Sequence, residues 1–67
     1  MTMKQLERLA QLLTDTAQTA STIELRALAG GKADDGLAAM ASGLRTNCTS
    51  CLVLVNGLMQ EASHGRV

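Results

Sequence analysis

Leu6, Leu9, Leu13, Thr16, Ala20, Ile23 and Ala27 recur at alternating intervals of three and four residues, which is the spacing of a heptad seam on one helix face. Ala10, Ala17 and Leu28 flank that line and widen it to the stripe of a helix packed in a bundle, broader than the seam of a two-stranded coil. Thr2 followed by Gln5 supplies a start, because a Thr hydroxyl and a Gln amide three residues on satisfy each other's free backbone N–H. The pattern predicts a first helix over residues 3–29. Its weak stretch is Thr14 to Thr22, where five Thr or Ser residues and Asp15 offer side-chain hydrogen bonds that compete with the helical backbone. Ser21 with Glu24 has the form of a second start, so the alternative is a three-helix chain broken at residues 18–21.

Gly30-Gly31-Lys32 ends the first segment, since glycine just past a last turn adopts the left-handed cap conformation without a Cβ penalty. A tight reversal at residues 30–33 and a second helix over 34–63 follow. Ala33 or Asp34 caps that helix, and Asp34 and Asp35 put negative charge where the helix dipole favours it. At the angular step of an α-helix, Leu37, Met40, Ala41, Leu44, Cys48, Cys51, Leu52, Val55, Leu58, Met59 and Ala62 fall on one continuous face that no polar residue interrupts.

The other side of the second helix is unusual for a solvent face. Ala39, Ser42, Gly43, Thr46, Ser50, Val53 and Gly57 are small or neutral, and no charge falls between Arg45 and Glu61. Gly43 and Gly57 each cost about 1 kcal/mol of helix propensity relative to Ala. Close approach of another backbone would offset that cost, so the second helix is expected to be covered by the first helix and by a partner. A weakly polar surface facing water is the alternative.

Composition narrows the class. The chain has 67 residues with no Phe, Tyr, Trp or Pro, which leaves nothing resembling a strand and makes it all-α, a single domain formed by an antiparallel two-helix hairpin. A domain of roughly this size buries only about 60% of the surface of its unfolded chain. Small domains add disulfides, a metal or oligomerisation. The two cysteines stand three apart and would close a trivial loop. Completion of a helical bundle by dimerisation or by a partner is the remaining expectation. Acidic and basic residues number six each, so no net field draws the chain onto nucleic acid or an anionic membrane. The polar start shows no signal-peptide pattern and the longest uncharged stretch, 46–60, is shorter than a membrane span, so the expected compartment is a reducing cytoplasm.

Candidate chemistry is sparse. Cys48-Thr49-Ser50-Cys51 has the Cys-x-x-Cys spacing used for zinc and for dithiol redox work, yet it lies deep inside a helix with both sulfurs expected in the apolar stripe. Buried cysteine packs as a small hydrophobe. A four-thiolate metal site would need two chains to bring their pairs together, so no cofactor is expected. His64, beside Gly65, suits an exposed position near the helix C-terminus. Gly30-Gly31-Lys32 lacks the preceding strand and spacing of a phosphate loop. One His and the scattered carboxylates Glu7, Asp15, Glu24, Asp34, Asp35 and Glu61 assemble no nucleophile, base and orienter.

A non-enzymatic interaction module is therefore expected, one that occupies a groove or helix face of another bacterial protein as inhibitor, anti-activator or co-chaperone. Leu44, Cys48, Cys51, Leu52, Val55, Leu58 and Met59 supply anchors at the required spacing, with Gly43 and Gly57 on the small-residue side. In length and hairpin architecture the chain resembles the Rop family of plasmid proteins, and it is also similar to the hairpin co-chaperones of type III secretion and to some phage-encoded inhibitors. The Rop resemblance implies a dimeric four-helix bundle that binds RNA; Lys4, Arg8, Arg26, Lys32 and Arg45 would form a basic patch only if dimerisation lined them up. No RNA-contacting residue can be matched, and the absence of aromatic stacking residues disfavours nucleic acid. A metal or redox site at the Cys pair is the third reading.

Overall fold

The computed structural model describes residues 1–30 and 35–64. Two helices, α1 over Met3–Ala29 and α2 over Asp35–His64, pack against each other as an antiparallel hairpin with no strand among the described residues. The chain is a rod of 56 × 15 × 13 Å. The caps expected at Ala33 and Asp34, with Gly31, Lys32 and the side chain of Asp35, lie outside the described residues.

The start of α1 follows from its first residues. Thr2 is extended at φ −77°, ψ 162°; the Gln5 N–H donates to Thr2 Oγ1 at 3.1 Å and the Thr2 N–H donates to Gln5 Oε1 at 2.8 Å. The hydroxyl-rich stretch does not break the helix. Thr14, Thr16, Thr19 and Thr22 each donate to the carbonyl four residues earlier, at 2.9, 2.8, 3.0 and 3.1 Å. Each hydroxyl thus finds its partner without leaving the helix, and the three-helix alternative falls. Gly30 is the C-cap of α1, with φ −74° and ψ 8°, and the next position, Gly31, where a left-handed cap residue would stand, lies outside the described residues.

Packing follows a line slightly rotated from the expected one. In α1 the residues turned inward are Met3, Leu6, Ala10, Leu13, Ala17, Ala20, Glu24 and Ala27. Leu6, Leu13, Ala20 and Ala27 belong to the expected seam. Between them Ala10, Ala17 and Glu24 are turned in, whereas Thr16 and Ile23 are exposed and Leu9 is half-buried; the flanking Leu28 is exposed. In α2 the inward line is Ala38, Ala41, Arg45, Cys48, Leu52, Val55, Met59 and Ala62.

The reason lies in side-chain size. Arg45 and Glu24 meet across the seam at 3.4 Å, and equal rise along antiparallel helices then sets Ala17 level with Leu52 and Ala10 level with Met59. Alanines on α1 let the larger side chains of α2 approach, as interdigitated packing requires. The resulting core is thin: its buried members are Leu6, Ala20, Ala38, Ala41, Cys48 and Val55. Half of these are alanines, which contribute little apolar area.

Candidate interaction surface

The rod has two broad sides, and the chain distributes its chemistry unequally between them. Thr14, Gln18 and Ser21, each one position after an inward residue of α1, line an open groove of about 430 Å³ with Thr49, which follows the inward Cys48 of α2. Residues one step after the seam in either helix therefore share one side. In an antiparallel pair, residues one step before the seam share the other.

The groove side is polar and chemically occupied. The hydroxyls of Thr14, Thr22 and Thr49 already donate to backbone carbonyls, and the Arg45 guanidinium is held by Glu24. A hydroxyl has one proton to give, so these three threonine side chains can only accept from a ligand in the groove. Val53 is apolar and exposed on this side, between Thr49 and Asn56 on its helix line, while Leu25 and Leu28 lie toward the turn end.

The opposite side is apolar and uncovered. On α2 the line before the seam reads Leu37, Met40, Leu44, Asn47, Cys51, Leu54, Leu58 and Glu61, all exposed, with Met40 at 68%, Leu44 at 46%, Leu54 at 70% and Leu58 at 48%. On α1 the corresponding line contributes Leu9, Leu12, Thr16, Thr19 and Ile23, of which all but the half-buried Leu9 are exposed. Large apolar side chains thus stand exposed toward both ends of this side, with Asn47, Thr16 and Thr19 between them.

The continuous face expected on α2 is thus divided. Ala41, Cys48, Leu52, Val55, Met59 and Ala62 turn toward α1, while Leu37, Met40, Leu44, Cys51 and Leu58 remain exposed. A single helix packed on one side covers a narrower arc than the apolar residues occupy. Among the expected partner-binding residues, Leu44 and Leu58 are available, and Val55 is buried; Leu52 and Met59 are half-buried in the intrachain seam. The cysteines part in the same way: Cys48 is buried and Cys51 exposed, correcting the expectation that both sulfurs enter the core. Gly43 and Gly57 face open space, with nothing within 4 Å of a Cβ built at either.

Leu54, Leu12 and Asn47 were not among the expected site residues. Their signal was a second line of three-and-four spacing one residue out of phase with the seam, which the broad apolar arc concealed. Among the described residues no three His, Cys, Asp or Glu side chains cluster as metal ligands, and no helix is long and apolar enough to cross a membrane. His64 is exposed in the last turn of α2.

Compared with protein-family models, curated proteins and solved structures, the chain matches none of them.

Proposed function

We propose that this chain is a non-enzymatic protein-interaction module that associates with another protein chain through the apolar side centred on Leu44, Leu54 and Leu58. It acts by occupying an apolar surface of its partner, in the manner of an inhibitor, anti-activator or co-chaperone. One observation carries the reading: large aliphatic side chains in register along α2 are left in water by a hairpin whose own core is thin. Anchors at helical spacing are what recognition of a groove or helix face uses.

The test compares the two broad sides. Leu44→Glu and Leu58→Glu place a charge on the apolar side, whereas Val53→Glu makes the same chemical change on the groove side. Association is measured by sedimentation of the pure chain and by capture of partners from a lysate of the source cells, with helix content checked by circular dichroism. The first two variants are expected to lose association that Val53→Glu retains. Equal behaviour of all three would refute the reading.

A further inference from the structure

Resting on that reading, we infer that the occupant of the apolar side is a second copy of this chain, its α2 laid antiparallel to the first about a two-fold axis at the level of Thr49. Area is the first argument. The hairpin exposes 4969 Å², whereas a compact monomer of 7.0 kDa exposes about 4,000 Å². That excess of about 900 Å² is spread over the whole rod, and pairing along one broad side at the roughly 800 Å² per partner of a standard protein interface would bring each chain back to the exposure of a compact monomer.

The second argument is the order of side chains along the exposed line. Between Leu37 and Glu61 at the two ends of this line, Met40, Leu44, Asn47, Cys51, Leu54 and Leu58 read alike from either end: two large apolar residues, the smaller Asn47 and Cys51 at the middle, two large apolar residues. Antiparallel pairing sets Met40 against Leu58, Leu44 against Leu54 and Asn47 against Cys51, each contact occurring twice. A two-fold interface has this self-complementary form. On α1, Leu9 and Leu12 lie toward one end of the same side and Ile23 toward the other, with Thr16 and Thr19 between them, so the polar waist extends across both helices. No charge interrupts the line from Met40 to Leu58, so the symmetric pairing opposes no like charges.

Sedimentation equilibrium and disulfide trapping test this together. The parent chain, whose exposed thiol is Cys51, is mixed in equal amounts with an Asn47→Cys, Cys51→Ser chain. Oxidised glutathione then takes up the two electrons and two protons released when paired thiols join. The expected results are a mass twice that of one chain at micromolar concentration, and a mixed disulfide dimer, read by intact mass, well above the statistical share. Same-chain pairs stand a helical turn out of level, too far for good disulfide geometry. A monomer at every concentration overturns the inference, as does a statistical mixture of disulfides. A monomer that still captures a client through Leu44 and Leu58 sinks only the second copy as occupant; loss of every association sinks the functional reading as well.

Discussion

Ala20 and the two cysteines show how much one position decides in so thin a core. Ala20 is 0% exposed between the helices, so Ala20→Leu must force them apart and is expected to cost about 1–3 kcal/mol in a denaturant melt. Its neighbour Cys48 is also buried, and Cys48→Ala is expected to cost on the order of 1 kcal/mol as the sulfur's volume is lost. Cys51→Ser in dilute solution is expected to stay within about 0.5 kcal/mol, as for surface changes generally. Alkylation read by mass spectrometry separates the two thiols without mutation. Cys51 reacts first in dilute protein, Cys48 only as the hairpin opens, and protection of Cys51 grows with concentration if a second copy covers it. At the other end of the scale, Thr2→Ala removes the hydroxyl that accepts the Gln5 N–H and is expected to cost about 1 kcal/mol.

At the scale of elements, α2 carries two apolar lines and only one helix to cover them. Its back is marked by Gly43 and Gly57, where a Cβ meets nothing within 4 Å. Gly43→Ala and Gly57→Ala are therefore expected to stabilise the helix by about 0.5–1 kcal/mol each, measured by thermal melting. Loss of association in either variant would instead place another backbone against that surface, where α1 is not. Between the helices, the Glu24–Arg45 ion pair joins side chains 22% and 41% exposed. A pair so placed contributes at most about 1 kcal/mol, and its larger consequence is alignment. Among the described residues it is the ion pair that joins α1 to α2.

For the whole molecule, the balance lies between a rod with little interior and the apolar side it leaves wet. Each kcal/mol of association adds to folding by mass action. The melting temperature is therefore expected to rise with protein concentration, and a midpoint that stays fixed from dilute to concentrated solution would mean that the hairpin is stable alone. Leu54→Glu is expected to abolish that concentration dependence, since the charge would be buried in the pairing without a counterion. A client that takes the same side competes with the second copy, so excess client is expected to convert dimer to complex rather than add to it.

Local chemistry along the chain was enough to determine the helices. The Thr2–Gln5 cap, the spacing of Leu6, Leu13, Ala20 and Ala27, and the absence of strand-forming runs act over a few residues, and a helix answers to interactions of that range. The exposure of the apolar side is legible in part, through Leu44 and Leu58. Which half of the broad arc on α2 meets α1 is not, because every residue of that arc is equally able to be buried. Only tertiary packing decides it: alanines at 10 and 17 stand level with Met59 and Leu52 and admit them more closely than Leu9 and Thr16 would, with Glu24 and Arg45 in contact at the same alignment. That choice of face buries Cys48 and leaves Cys51 outside, and it leaves Met40, Leu44, Leu54 and Leu58 in water, because a single helix partner spans too narrow an arc to cover both lines.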